Sequence, residues 1–225
     1  MKTLILIPTR NESKTIGNVV KELKNTVECD ILVVDDASYD HTIINAKEAG
    51  AVVLPLSIQT GAWGAIRAGF RYSLSRPYEY VITMDADGQH VAESIPDLLR
   101  EIKSSGADVV VGSAIQRGSS YKKMAWYILR KLARLKIMDV TSGLRVYNRT
   151  AVESLLIDET ALLTYQDIGV LLALKNNGFK LSEISVHMAD RINGHSQIFH
   201  SWIAILRYFV FTFTLCMTHI GRNAK

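Results

Sequence analysis

The sequence predicts an α/β fold with a doubly wound, mostly parallel β-sheet flanked by helices. In the first half of the chain, short apolar runs alternate with longer amphipathic stretches, which is the order that βαβ units produce. The apolar runs lack polar alternation, as strands buried on both faces of a sheet do. With 225 residues, 48% of them hydrophobic, the chain is long enough for one well-buried domain.

Five strands and four helices are predicted in this half of the chain. The strands are Leu4–Ile7, Ile31–Val34, Val52–Leu54, Tyr80–Met84 and Val109–Val111. The helices are Thr15–Lys24, His41–Ala49, Ala62–Ser75 and Ile95–Lys103. Ligands of such sheets bind beyond the carboxyl ends of the strands, so the residues that follow each strand are the first candidates for a site.

The pattern changes after Val111. Tyr121–Lys136 interleaves Lys and Arg with apolar residues and predicts a basic amphipathic helix, whereas Asp139–Arg149 is interpreted as a polar stretch. The rest of the chain predicts a helix ended by Asn-Gly, a strand, a loop and an apolar aromatic tail, at Tyr165–Lys175, Leu181–Val186, Asp190–Gln197 and Ile198–Ile220. We therefore divide the chain into a main domain, residues 1–197, and an apolar or amphipathic helix within residues 198–225.

Charge and cysteine content restrict the partners and the compartment. Lys and Arg number 26 against 22 Asp and Glu, a net charge of +4. This mild excess suits anionic substrates or anionic lipid and is too weak to indicate nucleic acid. Cys29 and Cys216 lack metal-ligand spacing. The strand pattern begins by Thr3, so we expect no signal peptide. These features predict a reducing, cytoplasmic location.

The sharpest candidate site is the segment Met84-Asp85-Ala86-Asp87-Gly88-Gln89-His90, directly after a predicted strand. Asp85 and Asp87 are one residue apart and can meet one hard cation, since Mg²⁺ uses one or two protein carboxylates together with substrate phosphates. The alternative is a solvated acidic turn. The position after a buried strand favours the metal site.

Two other strand ends carry candidates. The segment after the second strand holds Asp36, whose carboxylate can accept hydrogen bonds from a ribose or a base, while Ser38 or Asp40 can cap the next helix. We expect Asp36 to face a ligand and one of the other two to cap. Pro8–Glu12 closes the first strand, and its alternative is a plain turn.

Taken in order, four segments resemble the inverting family 2 glycosyltransferases of the GT-A fold, most closely the dolichyl- and polyprenyl-phosphate sugar synthases. The segments are Pro8–Glu12, Val34–Thr42, Met84–His90 and Thr141-Ser142-Gly143-Leu144-Arg145. The resemblance implies that residues 1–197 are a catalytic domain. It also implies transfer of a sugar from a UDP- or GDP-sugar to a polyprenyl or dolichyl phosphate, with inversion and with Mg²⁺ or Mn²⁺ as cofactor.

The resemblance also implies roles for individual residues. The metal would be held by Asp85 and Asp87, the second of which is also expected to be catalytic. The nucleotide-sugar would contact Pro8, Arg10, Glu12, Asp36, Gly61, Arg67, Asp85, Ala86, Asp87 and Gln89.

A phosphate or acceptor set is expected at the rim of the site. The guanidinium groups of Arg145, also a catalytic candidate, and Arg191 match phosphate geometry. Where the family often has Gly-Ser-Arg, this chain has Ala114, so Arg117 is the nearest substitute. Where it has Gly-x-Ser-Lys, this chain has Ser196 and Gln197.

Asp167 is the candidate base, and its role depends on the acceptor. A hydroxyl acceptor must lose a proton as it attacks, whereas a phosphate acceptor is already anionic, and an Asp at a helix start also compensates the helix dipole. The first alternative is therefore a transferase that extends a hydroxyl of a lipid-linked saccharide in cell-surface polysaccharide synthesis. A remote alternative is a non-catalytic nucleotide-sugar-binding module, against which the intact Asp85 and Asp87 argue.

The tail predicts a helix that either lies at a membrane surface or packs on the domain, without crossing the bilayer. A span takes about 20 apolar residues, while the run Tyr208–Met217 is shorter and Arg207 precedes it. With the basic helix Tyr121–Lys136, it predicts peripheral association with the inner face of the membrane, near a lipid-linked acceptor. The oligomeric state stays open.

Overall fold

The computed structural model describes residues 2–114, 133–157 and 167–189, together with Tyr127, Arg130, Lys131 and Val210. Within these residues, seven strands form one sheet in the order β3-β2-β1-β4-β6-β5-β7. The strands are β1 (Thr3–Thr9), β2 (Asp30–Asp35), β3 (Val52–Pro55), β4 (Tyr80–Thr83), β5 (Val109–Ser113), β6 (Arg145–Asn148) and β7 (Leu181–Ser185). The helices are α1 (Ile16–Thr26), α2 (Thr42–Glu48), α3 (Gly61–Leu74), α4 (Ile95–Ser105), α5 (Arg149–Ser154) and α6 (Ile168–Asn176).

Successive strand residues point to opposite faces of the sheet, and helices cover both faces. On one face, Ile5, Ile7 and Val33 pack with apolar residues of α1, α2 and α4. On the other face, Leu4 and Leu6 pack with residues of α3, α5 and α6. The predicted doubly wound, mostly parallel sheet with helices on both faces is therefore confirmed, with element boundaries that differ by at most three residues.

One strand was not predicted. β6 is antiparallel to both of its neighbours, β4 and β5, while the other neighbouring pairs are parallel. It lies inside the stretch Asp139–Arg149, whose interpretation as merely polar is wrong at this point. The reversal matters for the site, because β6 begins at the sheet edge where β4 and β5 end, and Arg145 pairs with Thr83 and with Val111.

Several predictions concern residues outside the described ranges. They include most of the helix Tyr121–Lys136, the loop Asp190–Gln197 and the tail from Ile198, of which only Val210 is described. Within the described ranges, no helix combines the length and apolar character needed to cross a bilayer.

Candidate active site

Four polar segments border one edge of the sheet. β1 and β2 end side by side, with Thr9 paired to Asp35, and β4 lies against the other side of β1. The segments after these strands therefore meet the start of β6 at this edge. Residues 8–12, 35–42, 85–90 and 140–145 make up this candidate site.

The turn after β4 exposes the Asp85 carboxylate to solvent on one side, and the buried ring of His90 contacts it on the other. The Asp85 side chain is 53% exposed, and its Oδ2 lies 3.3 Å from Nε2 of His90, whose side chain is 2% exposed. Asp87 Oδ1 accepts a hydrogen bond from the Gln89 backbone N–H at 3.1 Å, and Ala86 is buried between the two carboxylates. No role was predicted for His90, because nothing in the local sequence marks it as a partner of Asp85.

Two segments pack against this turn. On one side, the Gly143 carbonyl accepts a hydrogen bond from Thr83 Oγ1 at 2.8 Å, and a Cβ added to Gly143 would lie 2.5 Å from Oδ2 of Asp85. On the other side, the Ala189 N–H donates to the Gln89 carbonyl at 2.8 Å. The Asp85–His90 turn is therefore fixed between the start of β6 and the segment after β7.

Arg145 lies inside the protein, which corrects its expected place at the rim. The residue is fully buried, with Nε donating to the Ser142 carbonyl at 2.9 Å and Nη2 to the Val140 carbonyl at 2.8 Å. Its Nη1 is buried without a hydrogen-bond partner. In this arrangement the guanidinium holds the loop before β6 in place.

Asp36 also makes internal contacts, where a ligand contact was expected. Its side chain is buried, and Oδ1 accepts hydrogen bonds from the Thr60 N–H at 2.6 Å and the Thr60 hydroxyl at 2.9 Å. Oδ2 accepts from the Gly61 N–H at 2.8 Å. The carboxylate thereby covers the N-terminus of α3, where it compensates the helix dipole.

Its neighbour Asp35, which the sequence analysis did not single out, has unused hydrogen-bonding capacity. Oδ2 accepts from the Ser38 N–H at 3.0 Å, but Oδ1 is buried without a partner, as is Nε of Arg10. Buried polar atoms are normally paired. The end of the β1–β2 pair thus offers one acceptor and one donor that a bound group can satisfy.

The remainder of this corner is a network between two loops. The Asn11 N–H donates to Ser38 Oγ at 2.9 Å, and the Glu12 N–H donates to Thr42 Oγ1 at 2.8 Å. Asp40 accepts hydrogen bonds from the backbone of Ser13 and of Thr42, the first residue of α2. Burial alone would raise the pKa of Asp40, but the hydrogen bonds from the Thr42 hydroxyl and from the backbone of Ser13 and Thr42 outweigh it, so the pKa lies below that of an ordinary Asp. The N-cap residue of α2 is His41, and Asp40 accepts the N–H of the first helical residue from one position further back.

Two further predicted residues have structural contacts. Arg67 is buried and donates from Nη2 to the Leu156 carbonyl at 3.2 Å, so its guanidinium ties α3 to the end of α5. Asp167 Oδ1 accepts from the Gly169 N–H at 3.0 Å and caps α6. Pro8 and Gly61 lie at the candidate edge. The expected acceptor residues Arg117, Arg191, Ser196 and Gln197 lie outside the described residues.

The carboxylates of the turn suit a cation that a substrate brings with it. Among the residues that the structure describes, no three His, Cys, Asp or Glu side chains cluster as a protein-only metal site. Asp85 and Asp87 supply two hard oxygen donors on one turn, the number that Mg²⁺ commonly takes from a protein when phosphates and water complete its shell. The donor set therefore fits a metal–diphosphate complex better than a free ion.

Comparison with known proteins places these features in context. Residues 4–156 match the family described as Glycosyl transferase family 2. The chain is similar to an undecaprenyl-phosphate mannosyltransferase of Micrococcus luteus, at 31% identity over 215 residues, 88% of each chain. It is also similar to a polyprenol monophosphomannose synthase of Mycolicibacterium smegmatis, at 30% identity over 88% of this chain and 81% of that one.

Solved structures share the fold. Glucosyl-3-phosphoglycerate synthase from Mycobacterium tuberculosis, in complex with Mn²⁺, UDP and glucosyl-3-phosphoglycerate, superposes with a TM-score of 0.75 at 18% identity. The match covers 98% of this chain and 80% of that chain. At this identity the likeness concerns the fold alone.

Proposed function

The chain belongs to glycosyl transferase family 2, and on that premise we propose that it transfers a sugar from a nucleotide-sugar to a polyprenyl or dolichyl phosphate. The observation that carries the proposal is the Asp85–Asp87 turn, held at the sheet edge beside the unpaired polar atoms of Arg10 and Asp35. Relatives at 30–31% identity, aligned over most of their length, are named as polyprenyl-phosphate mannosyltransferases. This similarity supports the choice of acceptor.

We assign the donor to the edge formed by β1, β2 and β4. There the buried Asp35 Oδ1 would accept an N–H or O–H of the nucleoside, and Arg10 Nε would donate to an oxygen. Asp36 supports this corner indirectly, because it fixes Thr60 and Gly61 at the start of α3. The sugar and diphosphate would then extend toward the Asp85–Asp87 turn.

We further propose that the donor binds with Mg²⁺ or Mn²⁺ at Asp85 and Asp87. A structural neighbour contains Mn²⁺ together with UDP, and the two carboxylates have the right donor chemistry. The cation supplies charge neutralisation for the departing nucleoside diphosphate. His90 keeps Asp85 in place from the buried side, and Gln89 lies next to Asp87 where the sugar is expected.

The acceptor attacks the anomeric carbon from the side opposite the diphosphate, which gives inversion by direct displacement. A phosphate acceptor is already ionised and needs no proton transfer to the protein. The capping contact of Asp167 supports this assignment, since it gives the carboxylate a structural role that does not require catalysis. A hydroxyl acceptor would instead need a base near the anomeric carbon.

Peripheral attachment to the inner face of the membrane belongs to the same proposal. It is supported by the acceptor class of the relatives and by the net charge of +4, which favours anionic lipid. Alkaline carbonate washing of membranes should release at least part of the full-length protein. Complete retention would contradict the peripheral assignment.

The decisive test is transfer with defined substrates. The purified protein is incubated with UDP- or GDP-sugars, Mg²⁺ or Mn²⁺, and either polyprenyl phosphate or a lipid-linked saccharide in detergent. We expect a sugar phosphopolyprenol by mass spectrometry, lost in excess chelator and in Asp87→Ala. A product on the saccharide hydroxyl alone would refute the phosphate acceptor, and full activity with chelator would refute the metal.

A further inference from the structure

Gly143 is a glycine whose backbone does not require one. Its φ lies outside the positive range that five other glycines adopt among the described residues. The reason for a missing side chain must therefore be steric. A Cβ at this position would lie 2.5 Å from Oδ2, 2.6 Å from Oδ1 and 2.7 Å from Cγ of Asp85, closer than non-bonded carbon and oxygen atoms approach.

The backbone at Gly143 cannot easily withdraw from this contact. Its carbonyl accepts the hydrogen bond from the buried Thr83 hydroxyl. The preceding residue, Ser142, donates from Oγ to the Gly112 carbonyl at 2.5 Å and accepts from Arg145. The following residue, Leu144, accepts from the Gly112 N–H at 2.9 Å. Hydrogen bonds from two strands and a buried guanidinium thus fix this short segment.

The carboxylate of Asp85 is consequently the movable partner. It is a side-chain terminus with two torsions, half exposed, held from the other side by Nε2 of His90 at 3.3 Å. The clash between a methyl group on residue 143 and the carboxylate would be relieved by rotation of the Asp85 side chain toward solvent. This rotation breaks the His90 contact and displaces both carboxylate oxygens. The fold would lose little, while the carboxylate would leave its position.

We propose that Gly143 is a positioning residue, whose bare Cα leaves the space in which Asp85 is aimed at the metal–diphosphate complex. The proposal rests on the function proposed above and adds a residue from the loop before β6 to the construction of the donor site. It explains why the loop before β6 is braced so heavily from inside: a shift of this loop would move the carboxylate opposite it.

The test compares Gly143→Ala with two other variants by Mn²⁺ binding, measured by electron paramagnetic resonance in the presence of UDP or GDP. Gly17→Ala is the control, because a Cβ there meets its nearest neighbour at 3.7 Å, an ordinary contact. We expect binding about 10–100-fold weaker in Gly143→Ala, the usual effect of disturbing the support of a metal ligand. Gly17→Ala should bind as the wild type does, and both should unfold at similar urea concentrations.

The third variant, Asp85→Ala, separates this proposal from the one on which it rests. If Asp85→Ala binds Mn²⁺ and nucleotide normally, the proposed metal site is wrong. If Asp85→Ala loses binding but Gly143→Ala does not, the positioning role is wrong.

The double variant lacks the carboxylate that the added methyl group would meet. Gly143→Ala should therefore change neither Mn²⁺ binding nor the urea midpoint further in the Asp85→Ala background. A further loss there would show that Gly143 acts by another route. If Gly143→Ala alone fails to fold, the double variant still tests the proposal. Removal of the Asp85 carboxylate should restore folding, and misfolding of the double variant would overturn the proposal.

Discussion

Replacement of Asp36 by Asn tests whether this buried carboxylate holds the fold or a ligand. Asn keeps the size of the side chain and removes only the charge and one acceptor. Asp36 accepts three hydrogen bonds, two from Thr60 and one from Gly61. In the variant, the amide oxygen can accept hydrogen bonds from either Thr60 or Gly61, and the amide NH₂ then faces the donor groups of the other residue.

The expected cost follows from these contacts. A hydrogen bond to a charged group contributes about 1.5–3 kcal/mol, and an unpaired buried donor costs about 1–3 kcal/mol. Loss of a negative charge at the start of α3 adds about 0.3–1 kcal/mol. Because the amide retains part of the network, we expect Asp36→Asn to lower the free energy of unfolding by about 2–4 kcal/mol.

Urea unfolding followed by circular dichroism measures this change. Asp97→Asn is the matched control, since that carboxylate is 59% exposed and pairs with Arg100 three residues away; it should cost about 0–1 kcal/mol. A stability of Asp36→Asn within about 0.5 kcal/mol of the wild type, together with weakened nucleotide binding, would refute the capping role. That result would return Asp36 to the ligand contact expected from the sequence.

Three further changes test other parts of the structure. Arg145→Met leaves the Ser142 and Val140 carbonyls unpaired and should cost about 2–4 kcal/mol in urea unfolding, whereas the same change at the exposed Arg100 should cost less than about 1 kcal/mol. Asp167→Asn should lower the rate of transfer to polyprenyl phosphate less than about tenfold, and a loss of roughly 10²–10⁴-fold would identify a general base. Burial, then the hydrogen bond to Asp30, raises the pKa of Tyr78 to about 12. The Tyr hydroxyl of the unfolded chain ionises at about pH 10. The stability that the raised pKa of Tyr78 contributes is therefore complete below about pH 10 and is lost as the pH rises toward 12. Tyr78→Phe should flatten this part of the unfolding profile, and an unchanged profile would exclude Tyr78 as its cause.

The strands β1 and β2 could be predicted because their buried apolar residues are consecutive in the sequence. Leu4–Ile7 and Ile31–Val34 are apolar without interruption, and all eight residues are buried. The polar turns after these strands could then be assigned to one edge from topology alone. β6 escaped prediction because its first residue is Arg145, a type that is almost always exposed. Local carbonyls make its burial possible, and a single sequence does not display them.

Side-chain direction was the second limit. The pair Asp35-Asp36 was correctly located at a strand end, but adjacent strand residues point to opposite sides, and the sequence does not say which side faces the cleft. Asp36 turned out to cap α3, and Asp35 retained the unpaired oxygen. The contacts of Gly143 and His90 with Asp85 could not be predicted for a related reason. Gly143 meets Asp85 from 58 positions further along the chain, and the direction of the His90 ring within the same turn is not evident from the sequence.

The reversed direction of β6 has a consequence for how such an enzyme can diversify. An antiparallel strand starts where its parallel neighbours stop, so the chain re-enters the site edge at Val140–Leu144 after an excursion that leaves from the end of β5. Both ends of that excursion are anchored to the sheet, one through Ser113 and the other through Arg145 and Thr83. Insertions or replacements between these anchors would leave β1, β2 and β4 undisturbed. The sequence between the two anchors can therefore change while the edge formed by β1, β2 and β4 stays the same.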